Sequence, residues 1–174
     1  MNPKTQKLQA DYYMQSALIL APDLLGKILC RRTEGGVLRY RITETEAYDG
    51  QTDSACHAHR GKTPRNSVMY EKGGTAYIYL CYGIHNLLNV VTADTGVPEA
   101  VLIRAVEGIT GPGRLTKAMG IDRSLNGCDL TVSDLLWLED DGARFEYTAT
   151  PRIGIDYADY EDRIRLLRFI CNAR

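Results

Sequence analysis

The sequence is short of the features that most readily assign a class: paired cysteines, a long apolar run, a strong net charge and internal repetition. Its five cysteines, Cys30, Cys56, Cys81, Cys128 and Cys171, are odd in number, far apart and without a CxxC pair. That pattern argues against a disulfide framework and against a zinc site. The apolar stretch Ser16 to Leu25 is interrupted by Pro22 and Asp23 and has no basic leader, so it reads as neither a signal peptide nor a membrane span. An intracellular location is expected, cytoplasmic or at the nucleoid in a bacterium and nuclear in a eukaryote. No long N-terminal extension precedes the patterned region, so no targeting or partner-binding tail is expected. A net charge of −1 argues against a generic polyanion binder. No repeat or low-complexity tract divides the chain, and 174 residues with 44% hydrophobic and 25% charged residues suit one globular domain over 1–174.

What is present is uneven. Residues 1–41 carry Lys4, Lys7, Lys27, Arg31, Arg32, Arg39 and Arg41 against three acids, and Arg60, Lys62, Arg65 and Lys72 gather around the sequence TPRN. Acidic residues collect at Glu44 to Asp53 and from Asp134 onward. A local basic surface of this kind is compatible with phosphate contacts, although a solvated charged face is the commoner explanation.

Periodicity and turn residues outline the elements. Ser16 to Leu25 reads as a short helix stopped by Gly26, and Ile28 to Arg32 as a strand that turns through Glu34-Gly35-Gly36 into Val37 to Tyr48. Residues 49–67 read as a loop. Thr75 to Tyr82, the turn Tyr82-Gly83 and Leu87 to Thr92 form a hairpin, and Val101 to Val106 is an apolar strand broken by Arg104. A helix follows Gly111-Pro112-Gly113, with Leu115, Ala118 and Met119 at helical spacing. Later strands are read at Ile153 to Ile155 and Ile164 to Ile170.

The strand RITETEAY, residues 41–48, carries the densest chemistry. Strand alternation puts Ile42, Glu44, Glu46 and Tyr48 on one face, so two carboxylates and an aromatic share a surface. Such glutamates on a half-exposed strand face solvent unless other groups draw them in. Arg104, alone in an apolar strand, requires an acidic partner, and Glu46 is a natural one; a structural ion pair accounts for it as well. Asn89 is likewise a polar group in an apolar strand that must be hydrogen-bonded. His57 and His59 lie in the polar loop. Tyr77, Tyr79 and Tyr82 line the hairpin; packing suits Tyr77, while Tyr82 beside a turn glycine suits insertion into a stack of bases.

Together RITETEAY, TPRN, YIYLCYG with Asn89, and VLIRA resemble the alkyladenine (3-methyladenine) DNA glycosylases of vertebrates and many bacteria, over about residues 16–170. The resemblance implies an α+β fold in one compact domain, a curved antiparallel sheet with flanking helices and a protruding hairpin that inserts into DNA. It implies Glu46 as general base and Arg104 as the residue holding Glu46 and the attacking water. Tyr48 and Tyr79 are the implied walls around the flipped base, His57 a base contact, Asn89 the group that disfavours guanine, and Tyr82 the intercalating side chain.

The implied activity is monofunctional hydrolysis of the N-glycosidic bond of alkylated or deaminated purines in duplex DNA, by a monomer without metal or cofactor. 3-Methyladenine, 7-methylguanine, hypoxanthine and etheno-adenine are the candidate lesions. The chain departs from vertebrate members in a His57 to Thr63-Pro64 interval one residue shorter, in His59 offering a second register for the base-contacting histidine, and in His85 where an aromatic often stands. Two other functions fit parts of the pattern: a catalytically weak binder of lesions or bent DNA that intercalates Tyr82, and a hydrolase of free nucleosides.

Overall fold

The structure, a computed structural model, describes residues 5–172; Lys4 of the basic N-terminal set lies outside that range. Strands β1 (Gln6–Lys7), β2 (Ile28–Thr33), β3 (Gly36–Tyr48), β4 (Ala76–Cys81), β5 (His85–Thr92), β6 (Glu99–Val106), β7 (Ile109–Thr110), β8 (Leu136–Asp140), β9 (Tyr147–Thr150) and β10 (Arg168–Cys171) form one antiparallel sheet. Its main order is β1-β8-β2-β3-β6-β5-β4; β10 pairs with β3 and β9, and β7 with β6. Helices α1 (Ala17–Asp23), α2 (Pro112–Met119) and α3 (Tyr160–Arg163) complete the α+β fold.

Helix α1 lies against β3 and β6, and α2 against β5 and β6. Leu20, Leu24, Leu115 and Met119 from the two helices join Leu29, Ile42, Val90 and Ile103 in the main core. Burial of such side chains at about 25 cal/mol per Å² supplies the principal driving force. Helix α1 uses no side-chain cap of its own; the Glu99 carboxylate accepts the Ala17 N–H at 2.7 Å and takes that part. In α2, Pro112 fits the first turn, where its missing N–H costs nothing, and Gly120 at φ 61° closes the other end. Thr116, not the expected Ala118, completes the buried face of α2, because its hydroxyl donates to the Asn86 carbonyl at 2.7 Å.

Three expectations need correction. Ile153 to Ile155 is not a strand but an irregular segment containing Gly154 at φ 77°. Of Ile164 to Ile170 only the last part is extended, since Tyr160–Arg163 makes a helical turn and the chain reaches β3 at Arg168. Ile42 does not share a surface with Glu44, Glu46 and Tyr48: register shifts on either side of Glu44 break the alternation, and Ile42 joins Ala47 in the core.

Half of the described basic N-terminal set is neutralised by ion pairs. Lys27, Arg39 and Arg41 pair with Asp140, Glu139 and Asp141 at 2.9, 3.3 and 2.7 Å. Among the described residues, no helix is long and apolar enough to cross a membrane.

Candidate active site

The bulge in β3 turns Glu44, Glu46 and Tyr48 away from the helical core, and Tyr48 lines a cleft of about 850 Å³. Its lining includes Tyr48, His57, Tyr79, Arg104, Ile153 and Tyr157. Glu46 forms no part of the open surface; its exposure is 0%. Buried carboxylates need partners, and Glu46 has two hydrogen-bond donors and one cation. The Tyr48 hydroxyl donates to Oε2 at 2.9 Å, the Ile153 N–H donates to Oε1 at 2.8 Å, and Arg104 Nη1 lies 3.4 Å from Oε1. Burial pushes the Glu46 pKa up; the charge of Arg104, the Ile153 N–H and the Tyr48 hydroxyl oppose the rise without cancelling it.

Arg104 has a second and closer partner. Its Nε donates to Glu44 Oε1 at 2.8 Å, and Arg168 Nε donates to the same oxygen at 2.6 Å. The pair expected between Arg104 and Glu46 is therefore one edge of a four-residue network in which Glu44 holds both arginines. Arg168 reaches it because β10 pairs with β3 in the register Arg168 to Glu46.

Around Tyr48 and Tyr79 lies a small cavity of about 30 Å³, whose wall also includes His57, Tyr77, Asn89 and Tyr157. That volume holds about one water. The cavity shares Tyr48, His57, Tyr79 and Tyr157 with the cleft. His57 packs edge-on to Tyr79 with centroids 4.5 Å apart, and its Nδ1 lies 3.0 Å from the Tyr77 hydroxyl. Desolvation of the imidazole, with Arg65 adding positive charge, lowers its pKa. Burial raises the Tyr48 and Tyr79 hydroxyls and pushes Tyr77 up to about 12, so all three are neutral donors around pH 7. The Asn89 amide nitrogen donates to the carbonyls of Tyr77 (3.2 Å) and Leu87 (3.5 Å), as a buried polar group in a strand requires. His59 lies outside both the cleft and the small cavity, with its Nδ1 2.9 Å from the Gln51 carbonyl. Of the two histidine registers, the geometry brings only His57 to the tyrosines.

At the outer end of the cleft the β4–β5 hairpin turns through Tyr82 at φ 49° and Gly83 at φ 73°, and the Ile84 N–H donates to the Cys81 carbonyl at 3.1 Å. The connection leaves Tyr82, Gly83 and Ile84 between the paired residues Cys81 and His85, with two successive positive φ values at its tip. A tyrosine at positive φ is uncommon. Tyr82 is 88% exposed and Ile84 72%, so the tip presents two large apolar side chains. Helix α2 braces the root of the hairpin: a Cβ on Gly113 would lie 2.9 Å from the His85 ring. Arg65 and Arg114 line the cleft with no carboxylate within ion-pair distance among the described residues.

A family model described as methylpurine-DNA glycosylase matches residues 11–111 and 107–174. The chain belongs to this family. It is a DNA glycosylase, a hydrolase whose substrate is DNA. Its relatives include proteins named "Putative 3-methyladenine DNA glycosylase" from bacteria and an archaeon. That of Methanocella arvoryzae is 46% identical over 182 residues, covering 93% of this chain and 90% of the relative. That of Psychrobacter cryohalolentis is 42% identical over 193 residues, covering 94% and 91%. The Borreliella burgdorferi relative is 43% identical over 171 residues, covering 91% and 92%.

Sequence reasoning passed over several residues of this glycosylase that the fold brings to the cleft. Ile153 contributes a backbone N–H, for which no side-chain pattern exists. Tyr157, whose hydroxyl donates to the Ala55 carbonyl at 2.8 Å, stands in an irregular segment without periodicity. Arg152 and Asp53 lie behind Tyr48 as a buried ion pair and are 99 positions apart in the chain. The one signal available was an arginine in an otherwise uncharged run, TATPRIGI, the same reasoning that singled out Arg104.

Proposed function

We propose that this glycosylase removes alkylated or deaminated purines from duplex DNA by extruding the damaged nucleotide into the cleft, with Glu46 as general base. One observation carries the reading: a fully buried carboxylate with two hydrogen-bond donors and an arginine partner lies directly behind a cleft walled by Tyr48, Tyr79 and His57. A base inside a duplex hides its glycosidic bond, so it must leave the stack, at a cost of a few kcal/mol recovered through stacking and groove contacts. Tyr82, exposed on a rigid turn, fills the gap left in the duplex, and Arg65 and Arg114 take phosphates.

Cleavage passes through an oxocarbenium-like sugar, by analogy with glycosides. Ionised Glu46 stabilises that positive charge and accepts a proton from water entering past Arg104 and Ile153. Arg104 holds the carboxylate and the water together. Tyr48 and Tyr79 stack on the base, and a purine made cationic by alkylation gains cation–π attraction there. His57, with its pKa lowered, is neutral near pH 7 and acts as a hydrogen-bonding partner of the base. Asn89 crowds the exocyclic amino group of an undamaged guanine. No lysine lines the cleft among the described residues, which favours water over a Schiff-base nucleophile and hence no strand cleavage.

Duplexes each containing one 3-methyladenine, 7-methylguanine, hypoxanthine or etheno-adenine, assayed for free base beside the matching nucleosides, test this reading. Release from at least one duplex is expected, faster than from its nucleoside and leaving an abasic strand that breaks only in alkali. Release from nucleosides alone, or from none of the substrates, would overturn it.

A further inference from the structure

Glu46 takes one of its two hydrogen-bond donors from a stretch that no sheet holds in place. The Ile153 N–H belongs to the irregular segment between β9 and α3, and Ile153 is 48% exposed. The residue before it provides the anchor. Arg152 donates through Nη1 to Asp53 Oδ2 at 2.5 Å and through Nη2 to Asp53 Oδ1 at 2.8 Å, and both side chains are fully buried. Nη1 also donates to the carbonyl of Ala47, next to Glu46, at 3.0 Å, and the guanidinium sits 4.8 Å from the Tyr48 ring centre. Asp53 in turn accepts the N–H groups of Asp49 at 3.1 Å and Ala55 at 3.0 Å, which order the loop leading to His57. One guanidinium thus ties together the end of β3, the loop before His57 and the segment carrying the Ile153 N–H.

We propose that the Arg152–Asp53 pair is a clamp that positions the Ile153 N–H on Glu46 and the Tyr48 ring beside it, so that a residue outside the cleft sets the geometry of the base. Arg152 is a positioning residue in this scheme. The inference rests on Glu46 acting as the base. A fork of two parallel N–H bonds fixes direction as well as distance, which a lysine ammonium cannot do although it carries the same charge. Loss of the fork lets residues 151–155 drift, and Glu46 then loses its backbone donor.

The groups facing Glu46 are Tyr48 from β3, Arg104 from β6 and Arg152, with Glu44 and Arg168 behind Arg104. Tyr79 and Tyr157 stand further across the cleft, and burial raises both hydroxyls. With the arginines charged and the tyrosines neutral near pH 7, a weakened donor at Oε1 raises the pH at which Glu46 ionises.

The test pairs amide exchange in the unaltered protein with Arg152→Lys. In the parent, the Ile153 N–H is expected to exchange at least about 100-fold more slowly than an open loop amide, because its bond to Glu46 protects it. In the lysine variant Glu46, followed by carbon-13 NMR of its carboxylate, is expected to titrate about one pH unit higher. The acid limb of the rate of base release moves by the same amount, while duplex binding stays within about twofold. Fast exchange of the Ile153 N–H in the parent overturns the clamp even if the variant does not fold. So does an unshifted Glu46 titration in a folded variant, since a purely structural or purely charge-based role keeps it in place. Because exchange and titration need no turnover, equal base release by Glu46→Gln and parent would remove the base assignment separately from the clamp.

Discussion

Glu46 lies behind the cleft that Tyr82 lines, and the two are built in opposite ways. Glu46 has no exposed surface and three polar partners, drawn from β3, β6 and the 151–155 segment. Tyr82 is 88% exposed, and no hydrogen bond from its hydroxyl exists among the described residues. At the buried end the protein meets the cost of desolvating a carboxylate during folding, so the dipoles are already aimed when the substrate arrives. At the exposed end nothing is committed to the fold, and the whole apolar surface of the ring is free to be buried against DNA. Changes at the first end should therefore act on rate and stability, and changes at the second on binding alone.

The larger of two further effects tests the exposed end. Tyr82→Ala is expected to weaken binding to a lesion-containing duplex by roughly tenfold or more, since stacking on an aromatic is worth about 1–3 kcal/mol. Its melting temperature should stay within about 1 °C of the parent, the mark of a side chain the fold does not use. Undiminished binding, or a clear fall in melting temperature, would erase the contrast between the two ends. The smaller effect concerns the buried end and has a definite sign. Burial raises the Glu46 pKa in the folded state, so the folded protein holds that proton more tightly than the unfolded chain. The associated stability is present below the unfolded pKa and is lost as pH rises through the folded one. Glutamine carries no such loss, and its amide can donate to the Tyr48 hydroxyl while its carbonyl accepts the Ile153 N–H. Thermal melts of Glu46→Gln are expected to lie a few degrees above the parent near pH 7, with the difference shrinking toward pH 4. A variant that melts below the parent at pH 7 would show that the ionised base stabilises the fold.

The same contrast explains what could be read from the sequence. The hairpin was legible because its causes are local: alternating apolar residues, then Tyr82-Gly83, which only a tight turn accommodates. Strands β2, β3 and β6 and helix α2 were legible for similar reasons. Strand β8 was not singled out, because Leu136–Asp140 becomes a strand by pairing with β1 and β2, far away in the chain. The run at Ile153 to Ile155 looked extended because its apolar residues alternate around Gly154, yet Arg152 directs it to Asp53 and not to a sheet edge.

Within the site, Arg104 announced itself as a charge in an apolar strand, but its sharing between Glu44 and Glu46 depends on a bulge that alternation cannot foresee. Roles for Glu46, Tyr48, Tyr79 and Asn89 came with the family resemblance more than with their own pattern. The backbone donor at Ile153 and the Arg152–Asp53 pair are products of the fold alone.

The most direct measurement compares single-turnover release of free base by the parent and Glu46→Gln, on a duplex the parent processes, with binding to that duplex measured alongside. The Gln variant is expected to bind the duplex within a few-fold of the parent and to release base about 10²–10⁴ times more slowly, the usual contribution of a positioned general base. Release by Glu46→Gln at the parent rate would contradict the assignment of Glu46 as the base.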